Sequence, residues 1–112
     1  MLSTELTAAS TVPLVLSVLA DGENYGYALI QRVRQLSAGS IEWSEGMLYP
    51  VLHRMEEQKL IVSEWKEGET NRRRKYYRLC EKGKRTLQAE QKQWQSLYAT
   101  FSILWSNQPT SI

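Results

Sequence analysis

Apolar residues recur at helical intervals near the start of the chain. Between Leu6 and Leu19 the recurring residues are Leu6, Ala9, Leu16, Val18 and Leu19. Since residues three and four positions apart share one face of a helix, this spacing predicts a helix with one apolar face. Pro13 lies inside the run and is expected to kink the helix or to start a new one near Thr11.

Two more helices are predicted by the same kind of spacing. The first follows the turn that ends at Asn24, a good N-cap residue, and its apolar positions are Leu29, Ile30, Val33 and Leu36. The next begins after Ser44, a second N-cap candidate, and its apolar positions are Leu48, Val51, Leu52 and Met55. The short stretch Ile41–Trp43 between these helices is predicted to be a strand.

The pattern changes to that of strands in the second half of the chain. Leu60–Trp65 and Arg73–Leu79 are rich in β-branched and aromatic residues, and Gly68 and Asn71 between them suit a backbone with positive φ. They predict a hairpin with a long loop. From Glu81 to about Trp105 the apolar positions again have helical spacing, which predicts a long last helix.

This order of elements is that of a winged helix-turn-helix with an added C-terminal helix. The predicted fold class is therefore mainly α with a small β-hairpin. We expect residues 1–80 to form the DNA-binding domain, residues 81–106 a dimerisation helix, and residues 107–112 a flexible tail. In such a module the third helix enters the major groove of DNA, and the hairpin is a wing that reaches phosphates or the minor groove.

Composition narrows the class of protein. The chain has 112 residues, of which 42% are hydrophobic and 23% charged, as in an ordinary globular domain. One cysteine, Cys80, excludes an internal disulfide, and no apolar run is long enough to span a membrane, so a cytoplasmic location is expected. With one histidine and one cysteine a structural zinc site is not expected, and neither are a cofactor or an enzymatic constellation.

Positive charge is concentrated in the stretch Asn71–Leu87. It holds eight basic residues and one acid, so it carries +7 while the other 95 residues carry −5. One interpretation is a solvated hairpin and helix start, and the other is a phosphate-binding wing beside the third helix, which its place in the fold favours. The DNA-binding candidates are Ser44, Glu45, Gly46, Tyr49, His53 and Arg54 of the third helix and Arg72, Arg73 and Lys75 of the wing.

Two of these candidates have a structural alternative. Tyr49 is either a DNA contact or a partly buried packing residue, and Arg54 either binds DNA or pairs with Glu56 or Glu57. The last helix raises a similar choice, because its aromatic stripe exceeds what a three-helix core can cover. It either folds back on its own domain or binds a second copy of the chain.

Three stretches together resemble the PadR-like transcriptional regulators, and within that family the small members similar to a lactococcal multidrug-resistance regulator. They are NYGYALIQRV (24–33), GMLYPVLHRMEEQKLI (46–61) and RRRKYYRLCEKGKRTL (72–87). Two departures concern stability: Lys59 stands where the family usually has glycine, and Cys80 where it usually has threonine or serine. Each is expected to cost about 1 kcal/mol.

The resemblance implies several functional roles. It implies that Tyr49 reaches the DNA backbone and that the chain dimerises through its last and first helices, with Leu6, Leu87, Leu97, Tyr98, Phe101, Leu104 and Trp105 at the interface. It also implies that Trp94 flanks a small planar aromatic effector; the alternative is that Trp94 only packs the dimer interface. The predicted function is a homodimeric, ligand-responsive repressor on a pseudo-palindromic operator. The alternative is a winged-helix module whose basic face binds an acidic protein.

Overall fold

A computed structural model of the chain describes residues 1–68 and 70–106; the predicted tail, 107–112, lies outside them. The described part contains four helices and three strands. In chain order they are α1 (Thr4–Ala20), β1 (Asn24–Tyr25), α2 (Gly26–Leu36), α3 (Glu45–Glu57), β2 (Ile61–Glu67), β3 (Arg73–Leu79) and α4 (Glu81–Ser106). The predicted fold class, mainly helical with a small hairpin, is confirmed.

The core lies where α1, α2 and α3 meet above the sheet. Its fully buried members include Val15, Leu16, Leu29, Leu48 and Leu52, so the three predicted helical stripes do point inward. Burying a large apolar side chain stabilises a fold by about 1.5–3 kcal/mol, which makes this cluster the main support of the domain. The stripes also extend past the core, because Leu6 and Leu36 are exposed.

The predicted restart of the first helix near Thr11 is wrong. α1 is continuous from Thr4 to Ala20, and Pro13 lies inside it. Pro13 has no N–H to donate, so one intrahelical hydrogen bond is missing. Burial of Thr11 and Val15 on either side holds the chain helical, and the Thr11 hydroxyl donates to the Thr7 carbonyl at 2.7 Å.

The short strand is in a different place from the one predicted. Ile41–Trp43 is not a strand, whereas Asn24–Tyr25 forms β1, which pairs antiparallel with β3 in the sheet order β1-β3-β2. Asn24 is consequently not the N-cap of α2; Tyr25 holds that position without a side-chain hydrogen bond. A strand of two residues has no periodicity, so only its partner β3 reveals it.

The hairpin has the predicted strands, with one correction in its loop. Trp65 lies opposite Lys75, and Lys66 opposite Arg74, in an antiparallel register. Asn71 has the expected positive φ of 57°, but Gly68 does not adopt a left-handed conformation. Lys59, between α3 and β2, has φ 65°, so the expected left-handed lysine is confirmed.

The first turns of α4 are anchored to the domain. The Cys80 N–H donates to the Leu60 carbonyl at 3.0 Å, and Leu87, one of the predicted dimer residues, is buried in the core. Leu87 therefore has little surface to offer a partner, and we remove it from the proposed dimer interface. No helix in residues 1–68 and 70–106 is long and apolar enough to cross a membrane.

Candidate nucleic-acid interface

α3 begins with a capped turn and presents two different faces. The Ser44 hydroxyl accepts a hydrogen bond from the Met47 N–H at 3.1 Å, which caps the helix. Leu48, Leu52 and Met55 are buried against the core. The face beside the hairpin carries Glu45 and the partly exposed Tyr49.

The hairpin presents alternate side chains to α3. Along β3, Lys75 and Tyr77 are on one side of the sheet and Arg74 and Tyr76 on the other, as the two-residue period requires. The side of Lys75 faces α3, because its Nζ lies 3.4 Å from Glu56 Oε1. The wing therefore stands beside the third helix, as predicted.

An open groove of about 790 Å³ lies between α3, the hairpin and the start of α2. We call it the basic groove. It is lined by Tyr25 and Tyr27 from β1 and α2, by Glu45 and Tyr49 from α3, and by Trp65, Arg72, Arg73, Arg74, Lys75 and Tyr77 from the hairpin. Among the described residues, Arg72, Arg73 and Arg74 form no salt bridge, so their charge is available to an anion.

Five of the nine predicted DNA-binding residues meet in this groove, and four do not. Glu45, Tyr49, Arg72, Arg73 and Lys75 line it. The other four are on α3 or at its cap. Ser44 caps the helix, and the exposed His53 has its Nε2 3.8 Å from Glu57 Oε1. Gly46 and Arg54 line a second groove against α1. Neither of the predicted Arg54 salt bridges is formed within the described residues.

Five further residues line the basic groove that the sequence had not indicated as DNA-binding. They are Tyr25, Tyr27, Trp65, Arg74 and the buried Tyr77. The Arg74 guanidinium lies 4.2 Å from the centroid of the Tyr25 ring, a cation–π contact that orients it, and Arg73 lies 6.0 Å from the Trp65 ring. Arg74 was visible in the basic stretch, but its aromatic partner comes from β1, which the sequence did not reveal.

Lys75 has a partner inside the protein. Glu56 of α3 accepts a hydrogen bond from the Ser63 hydroxyl at 2.6 Å and pairs with Lys75, so it joins the third helix to both strands of the hairpin. This half-buried carboxylate reduces the charge that Lys75 can offer to DNA. Lys75 therefore helps to hold the wing against α3.

Tyr49 lies against the start of α2. A Cβ built on Gly26 would be 2.6 Å from the Tyr49 hydroxyl oxygen, so the phenol occupies the space where a side chain would be. Burial raises the pKa of Tyr49, the Glu45 carboxylate adds to the rise, and Arg74 opposes it. The hydroxyl accordingly stays protonated at neutral pH and is able to donate a hydrogen bond to a phosphate.

Most of the chain matches one family of proteins. Residues 15–89, which include every residue of the basic groove, match the model of the transcriptional regulator PadR-like family. The chain belongs to the PadR-like family. It is a transcriptional regulator, as the resemblance implied, and not an enzyme.

Solved structures of PadR-like regulators have the same fold. A PadR-like regulator from Bacillus cereus is 27% identical, with 94% of this chain and all of that chain aligned at a TM-score of 0.84. A PadR family regulator from Eggerthella lenta is 36% identical over 93% of this chain and 88% of the other, at a TM-score of 0.73. The Escherichia coli transcriptional regulator YqjI is 31% identical over 80 residues, which are 71% of this chain but 37% of that protein.

The far part of α4 in this PadR-like chain presents an apolar face. Leu97, Tyr98, Phe101, Leu104 and Trp105 are all exposed, and the rings of Phe101 and Trp105 are stacked 4.9 Å apart. Trp94, which precedes this face, is half-buried, and its indole N–H donates to Glu90 Oε2 at 3.0 Å. These residues do not fold back onto the domain, which was the alternative to an interface.

Proposed function

We propose that this PadR-like regulator binds a specific DNA operator as a homodimer and represses transcription there. α3 would enter the major groove, and the hairpin would lie against the adjacent backbone. The observation that carries this proposal is the basic groove, which three arginines without salt bridges in the described residues line together with Tyr49. Guanidinium groups and a protonated phenol are all donors, which suits phosphate oxygens.

The apolar face of α4 supports the homodimer. A run of exposed large apolar side chains on one helix is unusual for a monomer in water, and a second copy of the same face is a self-complementary cover. Two copies would place one α3 in each half-site of a pseudo-palindromic operator. A dimer bound there excludes other proteins from the duplex, which is why we propose repression.

Trp94 supports a response to a small effector. If the two α4 helices pair, Trp94 and its counterpart from the second copy would approach the two-fold axis. Indole faces attract planar and cationic aromatic compounds, and the Glu90 carboxylate beside Trp94 adds negative charge.

The matched relatives come from bacteria, whose DNA lies in the cytoplasm, and we propose that location for this chain.

The test uses the purified full chain with random-sequence duplex DNA. We expect binding at low salt, a loss of affinity as salt rises, and enrichment of a pseudo-palindromic site after repeated selection. Each neutralised phosphate should steepen the log-log salt dependence by about 0.9. Absence of binding at low salt would refute the proposal and favour the alternative, a winged-helix module whose basic face binds an acidic protein.

A further inference from the structure

Gly26 is the first residue of α2, and it is buried under the ring of Tyr49. A Cβ at this position would lie 2.6 Å from the Tyr49 hydroxyl oxygen and 2.8 Å from Cε1 and Cζ of the same ring. Carbon atoms of side chains do not approach other heavy atoms so closely in folded proteins. The Tyr49 phenol therefore fills the volume that any other residue at position 26 would need.

The backbone gives no other reason for a glycine here. Gly26 is not among the residues with positive φ, and it is the first residue of a regular helix, where alanine is the more favourable residue. Space for the Tyr49 ring is thus the physical requirement that glycine meets at this position.

The residues on either side of Gly26 connect it to the wing. Tyr25 pairs with Tyr76 in the sheet, and its ring holds the Arg74 guanidinium. Since Tyr25 and Gly26 are adjacent in the chain, this short segment contacts both the Arg74 guanidinium and the Tyr49 phenol, and both side chains line the basic groove. Tyr27 lines this groove as well, and its hydroxyl accepts a hydrogen bond from the Gln31 amide at 2.8 Å.

From this arrangement we infer that Gly26 is a positioning residue for DNA binding, which seats the Tyr49 hydroxyl beside Arg74 for one phosphate. The inference rests on the proposed function. It assigns no contact with DNA to Gly26 itself. The residue acts through the placement of Tyr49, and any larger side chain would push the phenol out of its seat.

A double-mutant cycle tests the inference. Its members are the parent, Gly26→Ala, Tyr49→Ala and the combined variant, measured against the duplex that the parent selects from a random-sequence pool. We expect Gly26→Ala to weaken binding by roughly tenfold, the size of one hydrogen bond to a charged group. The combined variant should bind no more weakly than Tyr49→Ala alone, because Gly26→Ala acts only through Tyr49.

A control and a second readout separate the possible failures. Gln35→Ala, at an exposed position on α2 away from the basic groove, should bind DNA as the parent does. In spectra of chain labelled with carbon-13 in its tyrosine rings, the Tyr49 signal should move in Gly26→Ala, whether or not DNA is present. If the parent binds no duplex, the proposed function is wrong. If the Tyr49 signal also fails to move in Gly26→Ala, the inferred position of the Tyr49 ring against Gly26 is wrong as well.

Three outcomes would overturn the inference while leaving the proposed function intact. The first is that Gly26→Ala binds DNA with parental affinity, and the second is that the losses from the two single variants add in full. The third concerns folding: if Gly26→Ala lowers the melting temperature, the combined variant must restore it, since removal of the ring removes the clash. If the combined variant keeps the lowered melting temperature, the Tyr49 ring is not what fills the space beside position 26.

Discussion

Gly83 lies in the first turn of α4, where the helix passes directly over the chain at Leu60. A Cβ at Gly83 would be 2.1 Å from the Leu60 carbonyl oxygen, which is a backbone atom and has no side-chain freedom to move away. The same carbonyl accepts the hydrogen bond from the Cys80 N–H. Glycine is therefore needed here so that α4 can dock on the start of β2.

We predict that Gly83→Ala lowers the free energy of unfolding by about 1–3 kcal/mol, the usual effect of an overpacked site. Gly46→Ala is the matched control, because a Cβ there would meet nothing closer than the Ser44 hydroxyl oxygen at 4.0 Å. That control should keep at least the stability of the parent, because alanine is the better helix former and meets no obstacle in this first turn of α3. Urea unfolding of both variants measures the difference, and equal stabilities would contradict the docking contact.

Single residues of the site were predictable where their charge or their position in a motif was informative. The basic stretch indicated Arg72 and Arg73, and the face of the third helix indicated Tyr49. The role of Lys75 was not predictable, because its partner Glu56 is far away in sequence and meets it only after folding. The same reason hid Tyr25, whose contact with Arg74 depends on the pairing of β1 with β3.

Among the elements, the hairpin has the clearest functional assignment. Arg72 and Arg73 lie at the point where its loop enters β3. We predict that the double variant Arg72→Ala/Arg73→Ala weakens binding to all duplex sequences alike and flattens the log-log salt slope by about one to two units. Binding isotherms at several salt concentrations give this slope, and an unchanged slope would exclude the two arginines as phosphate ligands.

The helices were predictable as elements because their apolar spacing extends over several turns. α2, α3 and α4 begin and end close to the expected residues. Two features were not predictable. The short strand β1 has too few residues for a pattern, and Pro13 was expected to kink the first helix or to start a new one near Thr11, whereas core packing keeps α1 continuous. Long-range pairing in one case and tertiary burial in the other outweighed the local signal.

On the scale of the whole molecule, the apolar face of α4 predicts association. We expect the chain, of 13.0 kDa, to elute as a dimer of roughly 26 kDa. Phe101→Asp/Trp105→Asp should give monomers, since the new charges would be buried at the interface. Ser96→Asp/Ala99→Asp, on the opposite side of α4, is the matched control and should remain a dimer; a parent that elutes at 13.0 kDa would contradict the proposal.

The proposed effector site also belongs to the assembled molecule. A planar cationic dye should quench tryptophan fluorescence saturably, and Trp94→Ala should abolish this quenching while the dimer and DNA binding persist. Trp65→Phe, which changes a tryptophan in the basic groove, should still be quenched. Equal quenching of Trp94→Ala and the parent would show that the dye binds elsewhere.

The anchoring of α4 at one end has a consequence for the direction in which its association face points relative to α3. Leu87 fixes the near end of α4 in the core, while Phe101 and Trp105 lie on its far end. Each residue of a helix rotates the chain by about 100° around the helix axis and advances it by about 1.5 Å along that axis. Insertion of one alanine after Gln91 would therefore rotate the association face relative to both α3 helices, and we expect dimers that no longer bind two half-sites on one side of the duplex. Insertion of seven residues, nearly two full turns, would return the association face to its original direction relative to α3 and lengthen α4 by about 10 Å. We then expect the selected operator to change in half-site spacing and not in half-site sequence.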